Sequence, residues 1–206
     1  MKSLPYDQFA LFALFPFFSL FAALISSPAH ATEYAAVQAD KSTLTFISRQ
    51  MGVPVNGRFP TFTAKIAFDP AKPDAGKVNL RIDLASIDAG SKDANDEIAG
   101  KEWFNVRTFP AATFSSTGMK SLGGGKYEVT GPLALKGKSK PLTATFDFKG
   151  DGNNGTFEGS FTLKRNDYAI GEGPWTDVSM VANDVQVNFH IVAAAAAATL
   201  APVKSK

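Results

Sequence analysis

The chain has no cysteine and only two histidines, His30 and His190. The first absence excludes thiol nucleophiles, redox dithiols, disulfide staples and zinc sites built on thiolates. The second leaves no material for a site needing two imidazoles, because His30 falls in a segment expected to be removed on export. Charge is also sparse. Charged residues make up 19% of the chain, the net charge is +2, and Lys and Arg form no basic tract, which argues against a nucleic-acid partner. There is no Gly-rich phosphate loop, nucleophile elbow or metal-ligand spacing. The sequence therefore assigns no cofactor, no metal and no catalytic residue, and the chain does not read as an enzyme.

The one long apolar run lies at the start. Met1-Lys2 precedes a stretch from Phe9 to Ile25, and Ser26-Ser27-Pro28-Ala29-His30-Ala31 follows it. A basic start, an apolar middle and an Ala-x-Ala end describe a secretory signal peptide, over 1–31, cut after Ala31. The mature chain then begins at Thr32 in the periplasm. It is long enough for one domain with a sizeable core, assigned to 32–192. The Ala-rich segment 193–206 reads as a frayed tail, too short to hold a helix alone.

Within the domain, apolar residues recur at every second position, the period of half-buried strands. Val78-Leu80-Ile82-Leu84 and Val185-Val187-Phe189-Ile191 are the clearest runs. Leu44-Phe46, Phe62-Ala64-Ile66-Phe68, Tyr127-Val129 with Leu133-Leu135, Leu142 to Phe148 and Phe157 to Leu163 follow the same rule. Turn residues separate them at Asn56-Gly57, Gly123-Gly124-Gly125, Lys136-Gly137 and Asn153-Asn154-Gly155. Only 91–105 breaks the pattern, with a helical turn or two over 92–98 before Trp103-Phe104, placed to cover one end. About eight strands, each with one apolar face, predict an all-β, antiparallel, up-and-down barrel, since closure removes exposed edges.

Twelve phenylalanines follow residue 31, and most share the inward phase. A barrel of this size either fills with its own side chains or holds one small ligand. Small residues at the inward positions Ala64, Gly131, Ala144 and Gly159 favour some open lumen. The acidic cluster Asp93, Asp96, Glu97 and Glu102 reads as a solvated helix face, and His190 points outward. Arg49 and Arg165 are the cations placed nearest an end of the barrel, and Gly171-Glu172-Gly173-Pro174-Trp175 is a turn-rich loop that can line its mouth.

Several ordered motifs then carry a resemblance. Ser42-x-Leu44-x-Phe46 leads to Met51-Gly52 and Val55-Asn56-Gly57-Arg58-Phe59. Ala67-Phe68-Asp69-Pro70 and Ser86-Ile87-Asp88 follow, and then Trp103-Phe104-Asn105-Val106 with Phe109-Pro110 and Thr113-Phe114-Ser115-Ser116-Thr117. Gly131-Pro132-Leu133 with Leu135-Lys136-Gly137, and Lys164-Arg165-Asn166-Asp167-Tyr168-Ala169-Ile170-Gly171, complete the series. In order and spacing, from Asp40 to Ile191, the chain resembles the YceI-like family of exported, lipocalin-like barrels that bind polyisoprenoid or related lipid chains. It departs from the family's pattern at Gln50, where a histidine is usual, at Ala94 to Ile98, where an Arg-Asp-x-His-Leu block is usual, and at Ala169 in place of glycine.

The resemblance implies a carrier whose lumen takes a long apolar chain. Leu44, Phe46 and Phe62 are assigned to that lumen, with Leu80 and Ile82, Phe104 and Phe114, and Phe146, Phe161, Tyr168 and Phe189. Arg49, Gln50, Arg165, Asp167 and Trp175 are assigned to a polar mouth. Loss of the histidine and arginine disfavours a diphosphate, because an anionic head wants a fixed cation, and favours a neutral head such as an isoprenoid quinone or an amide. The other readings are an accessory protein that docks on a membrane b-type cytochrome and handles its quinone, and a stress-response binder of lipids or fatty-acid amides. The expected state is a monomer or weak homodimer.

Overall fold

Period-two alternation organises nearly all of residues 32–196, which the structure, a computed structural model, describes. The signal peptide expected over 1–31 and the tail from residue 197 lie outside the described residues. Among the described residues eleven strands form: β1 (Tyr34–Val37), β2 (Thr43–Gln50), β3 (Val53–Arg58), β4 (Phe62–Ala67), β5 (Lys77–Asp83), β6 (Ala111–Ser115), β7 (Gly118–Gly123), β8 (Lys126–Leu135), β9 (Lys138–Gly150), β10 (Asn154–Lys164) and β11 (Asp184–Ala195). One α-helix, α1 (Lys92–Ala99), lies between β5 and β6.

Every ladder is antiparallel. The sheet runs β3-β2-β11-β10-β9-β8-β6-β5-β4, with β1 also on β11 and β7 also on β8. Read round a ring this is the chain order, with the last strand returned to the first. The all-β, up-and-down architecture is thus the expected one, with eleven strands instead of eight. The extra ones, such as β3 with its Val-Pro-Val-Asn-Gly-Arg sequence, are short or weakly alternating and owe their extension to the ladder beside them. The ring is open along one seam, because β3 and β4 share no ladder. Two isolated bridges tie the region: Tyr34 with Phe68 (2.8 and 3.2 Å) and Arg58 with Asp88 (2.9 and 3.0 Å).

Two-residue turns join β2 to β3 at Met51-Gly52, β7 to β8 at Gly124-Gly125 and β8 to β9 at Lys136-Gly137, each with positive φ at both residues. That backbone matches the strand twist of a hairpin. The turn expected at Asn56-Gly57 is instead part of β3. Gly57 pairs with Phe46, and a Cβ there would overlap the Phe46 ring and stand 2.8 Å from the Asp88 carbonyl oxygen. Close approach, not a turn, is why glycine sits at 57. The last turn is also displaced: Asn154 and Gly155 begin β10, and the Asp151 carboxylate accepts from the N–H groups of Asn153 and Asn154 at 2.8 and 2.6 Å.

A second correction concerns the tail. Ala193 to Ala195, expected to fray, end β11, where β1 on one side and β10 on the other supply partners. Ala193 is fully buried. In the wall, Pro132 and Pro141 face each other across β8 and β9. Neither can donate to a ladder. The pairing of β9 with β10 runs from Gly150 only as far as Thr145, so the wall splits between these strands beyond that point.

At the far end from α1 the interior is closed by aromatic rings. Phe68, fully buried, meets Phe148 at 4.8 Å, Tyr127 at 5.1 Å and Phe157 at 5.2 Å between centroids, all edge to face. Tyr34 packs on Phe148 at 5.0 Å. Such contacts are each worth about 0.5–1.5 kcal/mol beyond area burial, which makes this end a plug.

Candidate functional site

Above the aromatic plug the interior is hollow. An inner chamber of ≈ 110 Å³ is bounded by Phe62, Ala64, Leu80, Phe114, Ala144, Phe146 and Phe189 among others. An outer chamber of ≈ 260 Å³ reaches the end covered by α1. Leu44, Ile82, Leu133, Phe161 and Val187 line both, so the chambers adjoin across these side chains and together make the bore, blind at the plug and opening past the helix. The inner walls are wholly apolar. Along β11 the lining runs from Val185 to Ile191, about 20 Å at the usual strand rise.

Not every small inward residue makes this space. Ala64 and Ala144 line the inner chamber. Gly131 and Gly159 do not: a Cβ at Gly131 would strike the backbone of Ser115, and at Gly159 it would meet the Phe189 ring at 2.6 Å. These glycines admit neighbouring groups and add no volume.

Helix α1 covers the outer chamber. The Ser91 side chain caps it by accepting from the Ala94 N–H at 3.2 Å, and Lys92 pairs with Asp96 on its outer face. Ala94, Glu97 and Ile98 face the bore, the i, i+3, i+4 set that shares one side of a helix. None of its residues is fully buried. Glu97 is the member of the acidic cluster that does not belong to a purely solvated face: its Oε1 accepts from Trp103 Nε1–H at 3.2 Å, and it is the one carboxylate on the lining.

The opposite lip is held by two cations. Arg165 follows β10 and is 1% exposed. Its Nε–H donates to the Ala182 carbonyl (3.0 Å), Nη1 to Ile170 (2.8 Å) and Gly171 (3.2 Å), and Nη2 to Trp175 and Val181 (2.7 Å each). Burial pulls its pKa downward, and the Trp103 ring lies 5.8 Å from its Cζ. Arg165 lines the outer chamber, but all five of its donors are committed to backbone carbonyls, so it folds 170–182 around itself. Lys136, at the β8–β9 turn, spans the split wall. Its Nζ donates to the carbonyls of Glu102 (3.2 Å) and Ala169 (2.6 Å) and to Glu172 Oε2 (2.9 Å). The hydrogen bond from Lys136, then its charge, holds the Glu172 carboxyl below its ordinary value.

The structure brings most of the expected lumen together. Leu44, Phe46, Ile82, Phe104 and Phe161 line the outer chamber, and Phe62, Leu80, Phe114, Phe146 and Phe189 the inner one. Tyr168 does not reach the bore. It is buried behind the mouth loop, where desolvation and then the charge of Asp167 push its phenol pKa up. At the mouth, Gln50 and Trp175 line the opening, and Trp175 packs on Trp103 at 5.6 Å. Arg49 is out of phase with Leu44, Phe46, Ser48 and Gln50 and is off the lining, and it donates to the Gly52 carbonyl at 3.3 Å. Asp167 is exposed and off the lining. Ser48, Leu133, Leu163, Val185 and Val187 were in phase and legible. Glu97, Ile98 and Trp103 were not, because the docking of the helix decides their orientation.

Comparisons with known proteins agree with this geometry. Residues 36–193 match the family model described as the YceI-like domain. The crystal structure of BcnA from Burkholderia cenocepacia is 44% identical, with a TM-score of 0.74, over 76% of this chain and 98% of that one. A UPF0312 protein of Ectopseudomonas mendocina is 35% identical over 72% of this chain and 82% of its own length. A polyisoprenoid binding domain from Saccharophagus degradans, implicated in plant cell wall breakdown, shares the fold at 17% identity and a TM-score of 0.61, over 81% of this chain and 99% of that one. A blind apolar bore in a curled antiparallel sheet and the match over 36–193 place one conclusion beyond argument: the chain belongs to the YceI-like family.

Proposed function

We propose that this protein is a periplasmic binding and carrier protein, without a reaction of its own, for one long apolar chain of polyisoprenoid or isoprenoid-quinone type. The observation that carries the proposal is the pair of adjoining chambers that share five apolar residues and end on an aromatic plug. Burial of each CH₂ is worth roughly 0.8 kcal/mol, so about ten buried methylenes leave several kcal/mol after association and ordering costs. That suits the carriage of a molecule insoluble in water.

The mouth supports a neutral head group. Its polar lining residues are Ser48, Gln50, Glu97 and Arg165, and Arg165 has no donor to give. A diphosphate would face the Glu97 carboxylate with no free cation opposite, whereas a quinone or amide can use Gln50 and Ser48 without charge repulsion. The test is mass spectrometry of an organic extract of the natively purified protein. A long-chain neutral isoprenoid is expected at near one per chain. Protein that is free of lipid and does not take up a four-unit prenyl quinone from detergent would overturn the reading.

A further inference from the structure

Five large apolar side chains are well exposed among the described residues: Met51 at 70%, Val53 at 63%, Val178 at 55%, Leu122 at 47% and Met180 at 42%. Four of them lie together. Met51 is the first residue of the β2–β3 turn and Val53 follows it, and 178–180 runs alongside: the Met51 N–H donates to the Met180 carbonyl at 2.8 Å, and Gln50 bridges Val181. Gln50, Val55, Trp175 and Val181, interleaved with these residues in sequence, line the outer chamber. The exposed patch is therefore the outward continuation of the bore's own wall.

Met51 supplies an independent sign. It occupies the first position of a two-residue turn at φ 48, followed by Gly52 at φ 81, where Asn or Asp before Gly is preferred and an unbranched hydrophobe brings nothing to the turn. A side chain that local backbone chemistry disfavours, left in solvent beside a functional mouth, points to a role outside folding.

We propose that this rim docks on the surface of a zwitterionic phospholipid leaflet, so that the carried chain passes between bilayer and bore without crossing water. Area argues against a second copy of the chain: the four side chains expose on the order of 400 Å², about half of what each partner contributes to a stable protein interface. A few apolar side chains inserted at the acyl boundary suffice for reversible membrane contact. Charge agrees. Exposed Arg49 and Asp177 flank the patch, and the Asp177 carboxylate is held by the Ser179 N–H at 2.8 Å. Both signs at the rim match a head group that carries both, and no basic cluster stands there to select an anionic surface.

The docking surface rests on the reading of the bore as a lipid site, and the experiment separates the two. The variant M51N/V178T keeps the turn, since Asn-Gly favours this geometry, and keeps side-chain shape at 178. Neither residue lines the bore. Partition of parent and variant onto phosphatidylcholine vesicles without quinone is measured by co-sedimentation, and transfer of a four-unit prenyl quinone from such vesicles by its uptake rate. The variant is expected to melt at or above the parent's temperature, to bind the quinone in detergent as the parent does, and to lose about tenfold or more in both vesicle partition and transfer rate. Equal partition of parent and variant, or no partition of the parent, would overturn the proposal. So would a parent dimer, seen by sedimentation velocity, that the variant dissociates. Failure of both proteins to take quinone from detergent, with partition differing as expected, would leave the docking surface standing and remove the ligand assigned to the bore.

Discussion

Filling the inner chamber is expected to stabilise the protein and to cripple its binding of long chains. Ala144 on β9 lines that chamber together with Phe146, Phe157 and Phe161 and pairs with Val129 across the β8–β9 ladder. An unfilled apolar volume of ≈ 110 Å³ forgoes roughly 2–3 kcal/mol of packing at about 24 cal/mol per Å³. Ala144→Leu adds three carbons, and at about 0.8 kcal/mol each they recover a similar amount if they fit without strain. For a domain of this size that is a rise in Tm of roughly 5–10 °C, measurable by circular dichroism on the delipidated protein. A four-unit prenyl quinone, whose chain matches the depth of about 20 Å and so must enter the inner chamber, should lose at least about tenfold in affinity. A one-unit homologue that stops in the outer chamber should bind as before. A lower Tm together with unchanged affinity for the long chain would refute the reasoning, since it would mean that the ligand does not pass Leu44 and Phe161.

Arg165→Met should be far more damaging than its position at the mouth suggests: five backbone carbonyls lose their donor, and a loss above about 4 kcal/mol is expected, read as a collapsed thermal transition and loss of all binding. Acidification should loosen the mouth. Because the folded Glu172 carboxyl lies below its ordinary 4.5, the Lys136 clasp contributes its full stability above that pH and loses it as pH falls through the folded value. Tryptophan fluorescence should therefore be flat from about pH 5 to 8 and change below, and Glu172→Gln should remove the acid step. Gly57→Ala should cost about 1–3 kcal/mol by forcing Phe46 and Asp88 apart, seen as a lower denaturation midpoint and faster amide exchange in β2 and β3.

How far the site was legible from sequence is clearest at neighbouring residues. Period two separates Gln50 from Arg49, and the strand phase of Leu44 and Phe46 already places the first inside and the second outside. The same phase puts Arg165 in line with Phe161 and Leu163. What it cannot supply is the set of carbonyls from 170 to 182 that consume the guanidinium, because those are backbone groups of a loop without periodicity. Likewise Ala94, Glu97 and Ile98 declare a common helix face, but only packing decides whether that face or the one with Lys92 and Asp96 meets the bore. The short strands failed for a different reason. β1 and the end of β11 stabilise each other across more than 150 residues of chain, so the alanines at 193–195 carry no local signal of being a strand.

The unlinked seam between β3 and β4 bears on what this vessel can hold. In a sealed barrel the girth follows from strand number and shear, since widening it would break a whole ladder. Here the gap is crossed by no ladder, only by the bridges at Tyr34 and Arg58, the Arg58–Asp88 ion pair at 2.9 Å and the packing of β1 on β4, so the wall is built as a split collar. Cargo thickness is then set by how far the collar springs, and chain length by the depth to the aromatic plug. Branched and unbranched chains of equal length would be told apart weakly, short from long ones sharply.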